Sequence, residues 1–149
     1  ETRMTPEGLD VELVEREGEP LFEVGSSAPS PLLHRLLTIV APVLATAEND
    51  MAIVGHTDSR AYAGVGPYSN WELSSERAQV ARRLLVESGI PPDQIASVIG
   101  KADREPIAED RFAARNRRIG VILLAFKPSR GVENSSADYP LLKDPAIQP

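Results

Sequence analysis

The chain contains no cysteine, which removes disulfides and thiolate metal ligands from consideration. It has no apolar run near the ~20 residues that a membrane-spanning helix requires. No signal peptide opens it. The first residue is Glu1 and not an initiator Met, so any export signal or membrane anchor is expected upstream of this stretch. Histidine is scarce, confined to His34 and His56. No Gly-x-Ser-x-Gly nucleophile elbow occurs. Val65-Gly66-Pro67 lacks the Lys-Ser/Thr sequel of a phosphate loop. Positive charge is in deficit, with a net charge of -6, which disfavours nucleic acid and anionic membrane surfaces as partners.

What is present suits one compact domain. The 149 residues are 42% hydrophobic and 26% charged, enough to bury a core without staples. Leu9, Val11 and Leu13 alternate with Asp10 and Glu12, the pattern of a half-buried strand. Residues 16–20 form a polar turn, and 21–24 read as a second strand and hairpin partner. Ser30 before Pro31 is a helix start. Leu33, Leu36, Leu37, Val40, Val43 and Leu44 follow at helical spacing, with Pro42 expected to kink or interrupt them. Residues 51–54 read as a buried strand ended by Gly55.

The clearest helix is 70–88. Ser69 and Glu72 fit a capping box, and Gly89, Pro91 and Pro92 stop it. Leu73, Arg77, Val80, Ala81 and Leu84 share one stripe of that helix. Strands are expected at 94–99 and 118–126, the latter central, with a helical turn at 111–116 between them. Strands alternating with long helices predict an α/β (α+β) sandwich, a mixed sheet with helices packed on one face. The stretch 127–149, rich in Pro, Ser and charge, is expected to be an extension with little regular structure.

Four places attract chemistry. Gly55-His56-Thr57-Asp58 ends a buried strand, where ligand contacts collect. Arg77 sits on an apolar helix stripe, where a guanidinium requires a carboxylate from the protein or from a ligand. Arg115-Asn116-Arg117-Arg118 is a basic cluster. The helix start at Asn70-Trp71 offers free N–H groups and a dipole to an anion. Each also has a plainer account. Asp58 caps a turn, Arg77 makes a structural ion pair, the basic cluster is a solvated surface run, and Trp71 anchors the core. His56-x-Asp58 places two possible metal ligands on one strand face, but no further ligand has a motif spacing.

In order along the chain, Gly55-His56-Thr57-Asp58, Ser69-Asn70-Trp71-Glu72-Leu73-Ser74, Arg77-Ala78, Gly100 and Asn116-Arg117-Arg118-Ile119 resemble the OmpA-like peptidoglycan-binding domain. The heptapeptide from Tyr68 to Ser74 is similar to the version in flagellar stator proteins of the MotB type. So is the upstream stretch from Thr5-Pro6-Glu7-Gly8-Leu9 to Gly25-Ser26. The resemblance covers residues 4–126 and implies a domain over 1–126, with 1–30 a family-specific N-terminal hairpin or linker.

It also implies non-covalent binding of peptidoglycan, through the diaminopimelate-containing stem peptide or the glycan. Asp58 and Arg77 would hold the charged ends of the amino acid. Thr57, Asn70 and Leu73 would complete the site, and Arg115 or Arg118 would take a second carboxylate or support Asp58. No cofactor, metal or catalytic role is implied. The resemblance places the domain in the periplasm, on an inner-membrane protein that dimerises and pairs with a MotA-type subunit. The alternative is an outer-membrane or lipoprotein wall anchor unrelated to motility. A wall hydrolase would need a catalytic constellation that the sequence does not offer.

Overall fold

The computed structural model describes residues 1–64 and 66–125. The expected extension at 127–149, and the domain end at 126, lie outside the described residues. The elements are β1 (Thr2–Thr5), β2 (Gly8–Val14), α1 (Pro31–Leu44), β3 (Met51–His56), α2 (Asn70–Glu87), β4 (Ile95–Gly100) and β5 (Arg118–Leu124). They build one mixed sheet in the order β1-β2-β5-β3-β4. Only β3 and β4 run parallel; the other neighbours are antiparallel. β5 is the central strand, as its continuous apolar run predicts. Among the described residues no helix is long and apolar enough to cross a membrane.

Strand alternation divides the sheet into two faces. Val11, Leu13, Ile53, Ile119 and Val121 face the helices and join Leu33, Leu37, Ala41 and Leu44 of α1 and Ala78, Ala81 and Leu85 of α2 in the main core. The other face carries Ala52, Val54 and Ile122 as a small second cluster. Both helices therefore share one face. Ser30 caps α1 through a 3.2 Å bond from the Leu33 N–H. α2 begins with the full capping box of Ser69 and Glu72. Gly55 lets α2 approach: a Cβ there would lie 2.1 Å from the Ser74 carbonyl oxygen.

Several expectations are corrected. Residues 21–24 are not a strand; Phe22 makes a single bridge to Pro29. The hairpin partner of β2 is β1, at residues not read as a strand. β3 does not stop at Gly55 but runs to His56. Pro42 does not interrupt α1; it sits in the last turn, two residues before the helix ends at Leu44. The polar side of β2 is not solvated. Asp10 and Glu12 are buried, beneath Arg3 of β1 and beside Arg118 of β5. Trp71 is not a core anchor; it is 47% exposed and stacks against the Arg104 guanidinium at 5.5 Å.

Candidate ligand-binding cleft

A cleft of about 580 Å³ opens where β3 ends, between the start of α2 and the segment that joins β2 to α1. Thr57, Asp58, Asn70, Leu73 and Arg77 all line it. The sequence-predicted residues at positions 57 to 77 are thus brought together. Arg115 and Arg118 are not.

The turn that carries Asp58 is fixed on both sides. The Thr57 N–H donates to the Ala102 carbonyl at 2.9 Å, and the Ala102 N–H donates to Ser74 Oγ of α2 at 3.0 Å. Ala102 adopts φ 49°, a left-handed conformation that alanine rarely takes. The ends of β3 and β4 are so latched to α2. Asp58 is buried. Its Oδ1 accepts from the Arg60 N–H at 3.0 Å, the local turn bond expected of Asp at such a position. Asn70 donates through Nδ2 to the Arg60 carbonyl at 2.7 Å. It braces the same loop and lines the cleft.

Arg77 is buried as well. Its Nε donates to the Ser26 carbonyl at 2.8 Å and its Nη2 to the Glu23 carbonyl at 3.2 Å. The guanidinium lies 5.0 Å above the Phe22 ring, a favourable cation–π placement. No carboxylate among the described residues pairs with it directly. Burial pulls its pKa below the ordinary arginine value, while the field of Glu15 pushes it back. A cation held only by carbonyls and a ring face retains capacity for an incoming anion.

Within the basic cluster, the support of Asp58 expected of Arg115 or Arg118 falls to Arg117. It reaches Asp58 Oδ2 with Nη1, and Glu15 Oε1 with Nε at 2.8 Å, and it lines the cleft. Burial alone would lower its pKa, but the bonds to Glu15 and Asp58 outweigh that and raise it. Arg118 turns to the opposite face. It is buried on Glu12 at 2.9 Å and on the Glu105 carbonyl at 2.8 Å. The reason is strand parity: Arg117 shares the side of Ile119 and Val121, Arg118 that of Gly120 and Ile122. The signal was therefore present in the sequence. Arg115 is exposed and pairs with Glu1 at 3.1 Å, away from the cleft. Glu15, Arg60 and Tyr62 also line the cleft, and no motif spacing marks them.

His56 and Asp58 do not act together. β3 ends at His56, so alternation does not carry through to Asp58. His56 lines a cavity on the other face of the sheet. Among the described residues no cluster of His, Asp and Glu could hold a metal ion.

The OmpA family model matches residues 21–120. The flagellar export/assembly protein LafU of Escherichia coli is 38% identical over 83% of this chain and 40% of its own length. Motility protein B of Escherichia coli is 34% identical over 91% of this chain and 44% of its own. This chain thus spans less than half the length of either relative. Among solved structures, the cell wall anchor of the T6SS from Pseudomonas aeruginosa aligns with TM-score 0.70 and 27% identity, over 85% of this chain and 87% of that one. The periplasmic domain of Helicobacter pylori MotB shares the fold, with TM-score 0.69 and 20% identity over 84% and 88% of the two chains. By its sequence, its sheet order and its cleft, the chain belongs to the OmpA family.

Proposed function

We propose that this domain binds peptidoglycan non-covalently and anchors a flagellar motor stator to the cell wall. The observation that carries the reading is the convergence of buried Asp58 and buried Arg77 in one cleft. A zwitterionic amino acid, such as the diaminopimelate of a stem peptide, requires a fixed anion for its ammonium and a fixed cation for its carboxylate. The planar fork of arginine suits the carboxylate. An ionised carboxylate has about four lone-pair sites; Arg60 and Arg117 occupy part of Asp58 and leave room for a ligand N–H. Leu73 and Phe22 supply apolar walls, and Tyr62 offers a ring face to stem peptide or glycan.

The motor assignment draws on the kinship with Motility protein B. It extends to a periplasmic location, an upstream membrane helix, a MotA-type partner and a homodimer. The T6SS cell wall anchor supports wall binding without favouring a motor. The match to the OmpA family over residues 21–120 supports a role in attachment.

Co-sedimentation with purified peptidoglycan sacculi tests the site. Wild type should pellet. Asp58→Asn and Arg77→Ala, folded by circular dichroism, should lose about tenfold or more in affinity, as expected for a charge-assisted contact. Arg115→Ala should pellet as wild type does. Equal pelleting of wild type and all three variants would place wall binding elsewhere. A folded wild type that stays in solution would remove the anchor reading for this domain.

A further inference from the structure

Glu15 follows β2 directly, is buried and lines the cleft. Its backbone N–H donates to the Arg117 carbonyl at 3.0 Å, which continues the pairing of β2 with β5. The two oxygens of its side chain serve different partners. Oε1 accepts from Arg117 Nε at 2.8 Å. Oε2 accepts from the Leu21 N–H at 3.1 Å.

Each partner leads to one of the two charged groups of the cleft. Arg117 continues to Asp58 through Nη1. Leu21 opens the loop whose Glu23 and Ser26 carbonyls hold Arg77. The Ser30 N–H closes the base of that loop on the Leu21 carbonyl at 2.9 Å, and the Glu23 N–H meets the Ala28 carbonyl inside it at 3.0 Å. Those bonds give the loop its shape, and the bond to Glu15 ties its base to the end of β2. Phe22, the next residue, sets its ring 5.0 Å from the Arg77 guanidinium. Glu15, Leu21, Phe22, Arg77 and Arg117 border one small gap, so both branches start from one point.

The position requires a carboxylate. An ionised carboxylate accepts with both oxygens, whereas a glutamine of the same length offers one oxygen and one NH₂ group. With glutamine, one of the two N–H partners would face another donor. The charge matters as well. Arg117 is shared between two carboxylates, so Asp58 keeps negative character for an incoming ammonium. Without the charge at Glu15, Arg117 would neutralise Asp58 alone.

We propose that Glu15 is a positioning residue of the cleft: its carboxylate fixes the anion at Asp58 and the cation at Arg77 relative to each other, and it does so without touching the ligand. This rests on the reading of the cleft as the site of a zwitterionic ligand.

The test compares wild type, Glu15→Gln, Arg77→Ala and the double variant by co-sedimentation with sacculi. Glu15→Gln should lose about tenfold in affinity. The double variant should lose less than the product of the two single losses, because both changes act on one group. The second readout is the Arg77 Nε–H signal in the NMR spectrum, a group held in the wild type by the Ser26 carbonyl. In Glu15→Gln it should shift and exchange faster with water while the backbone signals of β3 and β5 stay in place. Single losses that multiply in full would overturn the proposal. So would an unchanged Arg77 signal beside a lower urea midpoint, the mark of a carboxylate that only stabilises the fold. Should Glu15→Gln fail to fold, Glu15→Asp keeps the charge, is one methylene too short to bridge both partners, and is read by the same two measurements. If wild type does not pellet, the reading of the cleft falls and this one with it. If wild type pellets, Arg77→Ala is weakened and Glu15→Gln binds as wild type does, this inference alone is overturned.

Discussion

Asp58 is held by Arg117, 59 positions further along the chain. The bond spans the cleft from the end of β3 to the start of β5, and the same guanidinium takes Glu15. One arginine therefore neutralises two largely buried carboxylates. Arg117→Ala should destabilise the fold by about 3 kcal/mol, the lower end for breaking a buried pair, since Arg117 is a quarter exposed. Arg117→Lys should recover part of this, because an ammonium lacks the fork that serves both partners. Urea denaturation of the three proteins measures the order.

Gly55→Ala should be among the most damaging single-methyl changes in the chain. The added carbon would sit 2.1 Å from the Ser74 carbonyl, and rigid backbone lies on both sides. Overpacking of this kind costs about 1–3 kcal/mol or more. It would displace the first half of α2, which carries Leu73 and Arg77. A fall in melting temperature together with weaker sacculus binding is the expected pair of outcomes.

His56 makes stability depend on pH. Its folded-state pKa is lowered from 6.5 to about 3. Between those values the unfolded chain binds a proton that the folded chain refuses. The stabilisation is therefore complete above pH 6.5 and is lost as pH falls toward 3, at about 1.4 kcal/mol per unit within the window. His56→Gln cannot titrate. Urea midpoints at pH 7.5 and pH 4.5 should fall further for wild type than for His56→Gln. Equal falls would show that the ring is not held neutral.

Asn116, 1% exposed, shapes the loop before β5. Its Oδ1 accepts from the N–H groups of Ile107 at 2.8 Å and Ala108 at 3.0 Å, and its Nδ2 donates to the Asp110 carbonyl at 2.9 Å. Asn116→Ala strands all three, at a cost of about 2–3 kcal/mol. Faster amide exchange at Ile107 and Ala108 would locate the loss.

The sequence shows most clearly what depends on short-range rules. The helix at Asn70 announces itself through its cap and its stripe, and the last strand through its apolar run. The turn at Thr57-Asp58 follows from the end of the buried strand at Met51–His56, and the arginine at 77 from the stripe of that helix. β1 is invisible because it is an exposed edge strand (Arg3 and Met4 are not apolar alternation), defined only by its pairing with β2. The stretch at Leu21 and Phe22 misleads for the opposite reason. Its side chains are buried, but its backbone serves Arg77 and a bridge to Pro29 instead of a ladder. Choosing between Arg117 and Arg118 needed the register of β5, which the alternation of Ile119 and Val121 already contained. The burial of Asp10 and Glu12 depends on Arg3 of β1 and Arg118 of β5 closing over the far face, and no local pattern encodes that.

Arg77 is positioned by the main-chain oxygens of Glu23 and Ser26. Such acceptors exist whatever side chain the residue bears. The exposed Glu23 can therefore be exchanged widely without releasing the guanidinium, so long as the chain keeps its path. The cleft's geometry is thus robust to point change along one wall, while a single inserted or deleted residue between 20 and 29 would remove both acceptors at once.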